Sequence, residues 1–152
     1  NGPFIGISWK SPLMTAKRMP NYTIISEWEP LLLIQGVTFI NLQSNHFKKD
    51  LIKIEEDLGV KVHNFDEIDQ YNDLDEVAAL CAALDVCVSI ATAASCIAAA
   101  VGTRTIIPTW KQSSWNNILF NATGPKVEMH FRNSWEDWED IFANISRNIM
   151  KL

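Results

Sequence analysis

Short apolar runs alternate with helix-period stretches along the chain. Phe4-Ile5-Gly6-Ile7-Ser8-Trp9 predicts a first strand, followed by a long loop to about Ser26. Ser26-Glu27-Trp28-Glu29 has capping-box spacing and predicts a helix through Ile34, with Pro30 in its first turn and Gly36 as its stop. Val37 to Leu42 predicts a second strand. Phe47, Leu51, Ile54 and Leu58 recur at helical spacing until Gly59, and Val60 to Val62 begins a third strand. Asp73-Leu74-Asp75-Glu76 is a second capping box, leading into Leu74, Val77, Leu80, Cys81 and Leu84 on one helix face. Val86-Cys87-Val88-Ser89-Ile90 is a continuous apolar run, the mark of a strand buried on both faces of a parallel sheet. The small-residue segment Ala91 to Ala100, closed by Gly102, precedes a fifth strand at Thr105-Ile106-Ile107, ending before Pro108. A last helix is predicted with Ser134 as its cap and Trp135, Trp138, Phe142, Ile145 and Ile149 as its buried stripe.

Alternation of this kind predicts an α/β fold: a doubly wound, mostly parallel Rossmann-like sheet of five or six strands in the order 3-2-1-4-5, with helices on both faces. Residues 1–152 read as a single domain, without linker, repeat or low-complexity tract. In such sheets ligands bind beyond the carboxyl ends of the strands, near the switch in strand order. That places the functional edge at Lys10 to Asn21, Gln43 to His46, Ala91 to Cys96 and Pro108 to Trp115.

Composition narrows the classes. The chain is 47% hydrophobic and 20% charged, a globular composition, with net charge −5. An acidic balance argues against general nucleic-acid binding, which needs a basic face. No apolar run is long enough to span a membrane, and Asn1-Gly2-Pro3-Phe4 lacks the features of a signal peptide, so the expected location is cytoplasmic. Cys81, Cys87 and Cys96 lack CxxC spacing and read as buried thiols of a reducing compartment. The sequons at Asn21, Asn121 and Asn144 read as chance occurrences.

Several segments carry candidate chemistry. Residues 1–26 hold Lys10, Lys17 and Arg18 and no acidic residue, which suits an anionic ligand such as a diphosphate as well as it suits a solvated loop. Thr92 or Ser95 can begin a helix whose N–H groups point at the ligand edge, with alanines 91, 93 and 94 letting a ligand approach the backbone. The same small residues also suit tight helix–sheet packing. His46, His63 and His130 lack metal or nucleophile spacing. Asp66, Glu67, Asp69, Asp73 and Asp75 lack the glycine and terminal glutamate of an EF-hand, so no metal site is expected. Trp110 and Trp115 follow strand five, where an aromatic can stack on a base or sugar.

The run Ile5-Gly6-Ile7-Ser8-Trp9-Lys10, then Pro20, Trp28, Pro30-Leu31-Leu32, Gly36-Val37 and Phe39 to Gln43, resembles the carboxyl-terminal domain of heptosyltransferase-like GT-B glycosyltransferases. Asp73 to Asp75, Ala78 to Asp85, Val88-Ser89 and Ala98 to Gly102 continue the likeness in register, from residue 4 to about residue 145. It is nearest to the bacterial members fused to tetratricopeptide repeats. The resemblance implies a domain that binds a nucleoside-diphosphate-sugar donor without metal. An amino-terminal domain would hold the acceptor, so the chain alone would be inactive. The family's phosphate-contacting base lies three residues before the proline of the first loop, the position of Lys17 ahead of Pro20. Gln43 would line the pocket, and Thr92, Ser95 and Cys96 would lie at the donor motif. There Thr92, Ser95 and Ala98 keep the family pattern, whereas Ala91 replaces an aspartate and Cys96 a histidine. A non-catalytic relative, keeping the fold for ligand or protein recognition, is the alternative. A response-regulator-like module is disfavoured, because strand one ends in Ser8-Trp9-Lys10 where that class needs acidic residues.

Overall fold

The computed structural model describes residues 2–11, 15–16, 19–111, 126–133 and 136–151. Six strands form one sheet: β1 (Phe4–Ser8), β2 (Thr38–Asn41), β3 (Val62–His63), β4 (Val86–Ser89), β5 (Arg104–Trp110) and β6 (Val127–Arg132). Their order is β3-β2-β1-β4-β5-β6, with every neighbouring pair parallel. The expected doubly wound order is therefore present, extended by one strand. β4 lies at the centre, and its residues are all buried, as its unbroken apolar run requires.

Among the described residues, five α-helices cover the sheet: α1 (Glu29–Leu32), α2 (Lys48–Leu58), α3 (Leu74–Ala82), α4 (Ala93–Ala100) and α5 (Trp138–Ile149). Alternate strand positions sort them into two layers. Ile5, Ile7, Phe39, Val86, Val88 and Ile106 pack against Leu31, Ile54, Phe142 and Ile145, which puts α1, α2 and α5 on one face. Ile40, Leu42 and Cys87 pack against Val77, Cys81, Ala94 and Ala98, which puts α3 and α4 on the other. Gly6 falls on this second face. A Cβ there would lie 2.5 Å from the Leu84 side chain and 2.6 Å from that of Leu42, so glycine lets both leucines close over β1.

Several boundaries differ from the sequence reading for local reasons. The helix expected from Ser26 starts as a 3-10 turn at Ile25–Trp28, because the Glu27 carboxylate accepts the Ile24 N–H at 2.7 Å. Glu27 thus closes the turn two residues earlier than the Ser26–Glu29 pairing. Pro108 lies inside β5, not beyond it. Even-numbered amides there face β4, whose pairing ends at Val88–Ile106, so the missing N–H of Pro108 costs no ladder bond. Asp137 stands at the N-cap of α5, and the predicted Ser134 and Trp135 lie outside the described residues. Asp73 does cap α3, accepting the Glu76 N–H at 3.0 Å. Gly59, at φ 65°, ends α2 in the left-handed conformation that glycine adopts without strain.

Candidate functional site

The carboxyl ends of β1 and β2 are joined by side chains as well as by the ladder, and β4 pairs with β1 through its backbone as far as Ser89 and Ile90. Asn41, fully buried at the end of β2, accepts the Gln43 N–H at 3.0 Å and donates to the Gln43 carbonyl at 3.2 Å and to Asn64 Oδ1 at 2.7 Å. This turn aims Gln43 at β1, where its Oε1 accepts from Ser8 Oγ at 3.3 Å and from the amides of Trp9 and Lys10 at 3.2 and 3.1 Å. The loop after β1 then crosses the same edge. Thr23 Oγ1 donates to the Trp9 carbonyl at 2.5 Å, and Asn21 Oδ1 accepts the Trp110 N–H at 3.0 Å.

Between these loops and the start of α4 lies a cavity of about 400 Å³. Much of its wall is apolar, from Leu42, Leu74, Val77, Ile90 and Ile97, with Tyr22 and Tyr71 at its sides. It occupies the crevice beside β1 and β4, where strand order reverses. Thr92 is the N-cap of α4, its Oγ1 sharing a hydrogen bond of 3.0 Å with Ser89 Oγ. The first-turn amides of any helix lack intrahelical acceptors and carry the positive end of its dipole, so this wall favours an anion.

Three predicted site residues, Gln43, Thr92 and Cys96, line the cavity. Gln43 does so while committing its oxygen to β1. Ser95 is fully buried and turns inward, accepting the Thr92 N–H at 3.2 Å and donating to the Thr92 carbonyl at 2.8 Å; it shapes the helix start. Lys17 and Arg18, like Trp115 and Asn121, lie outside the described residues. Lys10 lines the cavity, but its ammonium group is held by Asp50 at 2.5 Å and by the His46 carbonyl at 2.7 Å. The same carboxylate accepts the Trp9 indole N–H at 2.8 Å. Trp110 ends β5 and is not among the residues that line the cavity.

The chain is similar to Protein FlbA of Caulobacter vibrioides. The two are 33% identical over 147 residues, covering 95% of this chain and 24% of FlbA. This chain therefore spans about a quarter of that relative's length. No protein-family model matches the chain, and no solved structure matches it.

The sequence reading passed over the β3–α3 loop residues Gln70 and Tyr71 as wall residues, and it placed Leu74, the first residue of α3, on the buried helix face. Gln70, Tyr71 and Leu74 line the cavity, and Tyr71 and Leu74 are 68% and 55% exposed. The signal was present: a loop after a parallel strand opens on the ligand edge, and an apolar residue directly after the cap Asp73 has no core to enter. The cysteines also divide. Cys81 and Cys87 are buried as expected, whereas Cys96 is exposed at the cavity, because its place in the first turn of α4 faces the crevice and not the sheet. Burial pushes the Cys81 thiol up to about 11 and raises that of Cys87 as well, with Cys81 adding to it. Among the described residues, no group of three His, Cys, Asp or Glu side chains is placed to hold a metal, and no helix is long and apolar enough to cross a membrane.

Proposed function

We propose that this chain is the donor-binding half of a GT-B glycosyltransferase, seating a nucleoside diphosphate sugar across the carboxyl edge of its sheet. The observation that carries this reading is the cavity at the strand-order switch, with an apolar body and the start of α4 on its wall. A nucleoside ring suits the apolar part, and a diphosphate suits the helix terminus. In transfer, the bond between the sugar and the diphosphate breaks and negative charge grows on the leaving oxygen. Helix amides and the basic first loop, Lys17 above all, would stabilise that charge without a metal. The acceptor would come from a further domain of a longer protein, Rossmann-like or associated with tetratricopeptide repeats. The relative FlbA, about four times as long as the matched stretch, has room for one.

One observation favours a second reading. Ala91 and Cys96, which stand where the resembled family carries aspartate and histidine, both line the cavity. A hydrogen bond lost at a ligand site costs about 1–3 kcal/mol, so these two departures favour a non-catalytic module that keeps the cavity for ligand or protein recognition. Calorimetric titration with nucleoside diphosphates separates the readings. Lys17→Ala should weaken binding roughly 10- to 150-fold, the worth of one charge-assisted contact, and Arg18→Ala should weaken it less. Equal affinities of parent and Lys17→Ala would remove that residue from the site. No binding at millimolar ligand would favour the recognition module.

A further inference from the structure

The buried side-chain polar atoms around the cavity are almost all matched within the protein. Ser8 Oγ donates to Gln43 Oε1, and Gln43 Oε1 serves three donors. Lys10 is held by Asp50, Ser44 Oγ accepts from Asn45 at 3.2 Å, and the Thr92 hydroxyl is matched by Ser89. Ser11, Asn21 and Tyr22 have partners too. Among the described cavity residues, Gln70 carries the one buried side-chain polar atom without a partner. Its Nε2 donates to the Asn41 carbonyl at 3.0 Å, while its Oε1 is buried with no donor. The amide cannot be turned to hide this, because a carbonyl only accepts and so requires the nitrogen on its side. A buried acceptor without a donor is costly, and such atoms call for an explanation.

We propose that Gln70 selects a ligand ring bearing an exocyclic amine, whose N–H meets this unmatched oxygen. The inference rests on the nucleoside diphosphate reading above and adds its specificity. An amine projects from the ring and reaches a recessed acceptor with one N–H. An imide N–H is set back beside a ring carbonyl, whose lone pairs would be brought up against the Gln70 oxygen, a carbonyl that can only accept. The oxygen is shielded by its surroundings, and the exposed side chains of Tyr71 and Leu74, which share the cavity wall with Gln70, can change rotamer rapidly to admit a ligand edge.

Calorimetry with adenosine, inosine, cytidine and uridine diphosphates tests this. Each amino/oxo pair shares sugar and diphosphate and differs at the ring edge. For the ring size that binds more tightly, the amino member should bind about tenfold better than its oxo partner. That ratio should fall to about one in Gln70→Leu and in Gln70→Met, which keeps the side-chain length. Because the ratio is taken within each variant, a general loss of stability does not mimic it. Binding without an amino preference, or a preference that survives in both variants, overturns the inference and leaves the proposed function standing. Failure of all four diphosphates to bind overturns both.

Discussion

Single residues at this edge act mostly as connectors. Gln43 closes the end of β1, Asn41 aims Gln43, and Asp50 gathers the Trp9 indole and the Lys10 ammonium. Lys10 is therefore a poor candidate for phosphate neutralisation, since a ligand would compete with an ion pair already made. The cysteines allow a direct check of the site's exposure. Thiolate is the reactive form, so a thiol whose pKa is pushed up by burial reacts slowly even before access is considered. At about pH 8 a thiol reagent should label Cys96 in the folded chain and label Cys81 and Cys87 at least about 100-fold more slowly. Cys96→Ser should abolish the fast phase. Rapid labelling of more than one thiol in the folded chain would contradict the burial of Cys81 and Cys87.

At the scale of elements, two features set stability. β1 depends on the missing side chain of Gly6, under Leu42 and Leu84. Leucine tips can yield to one added methyl group but not to a branched side chain. Gly6→Val should cost about 1–3 kcal/mol in urea unfolding, with Gly6→Ala the milder change. The edge strand β6 carries the second feature. Glu128 pairs with Arg104 at 2.6 Å and accepts from Asn148 at 2.9 Å, with His130 beside it at 4.0 Å. The hydrogen bond from Arg104 holds the Glu128 carboxyl below its ordinary 4.5. Burial lowers His130 below its ordinary 6.5, against the pull of Glu128. The folded chain thus favours neutral His130, a contribution present above 6.5 and lost as pH falls through the folded value. Glu128 contributes above 4.5 and loses this as pH falls through its own folded value. Both signs make acid destabilising. The urea midpoint should fall between about pH 7 and 5 and again below about 4.5. His130→Gln should flatten the first fall and spare the second; an unchanged first fall would exclude His130 as its source.

For the whole molecule, the all-parallel sheet gathers four kinds of loop at one edge, and the cavity there offers binding surfaces more than reactive groups. None of the residues that line it forms a nucleophile–base pair in the hydrogen bonds described. On the proposed two-domain reading, the isolated chain should transfer no sugar from any of a panel of nucleotide sugars to any acceptor tested. Robust transfer by this chain alone would overturn that division of labour.

The hydrophobic pattern by itself determined the alternation of the first five strands with helices, because period-2 and period-3.6 runs report which faces must be buried, and the order 3-2-1-4-5 of a parallel sheet followed from the connection rules for such alternation. It also placed Gln43, Thr92 and Cys96 at the ligand edge, since loops that follow parallel strands all emerge on one side. The sequence did not show which of those side chains remain available. Lys10 and Ser95 look like free polar groups until Asp50, 40 positions away from Lys10, and the folded-back Thr92 turn are brought beside them. β6 was equally hidden: its positions are only partly buried, so its apolar signal is weak, and it is defined by pairing with β5. Gln70 shows the same limit from the other side. Its unmatched oxygen exists only because Asn41, 29 positions earlier, fixes the amide nitrogen, and partnership across such distances is a property of the packed chain.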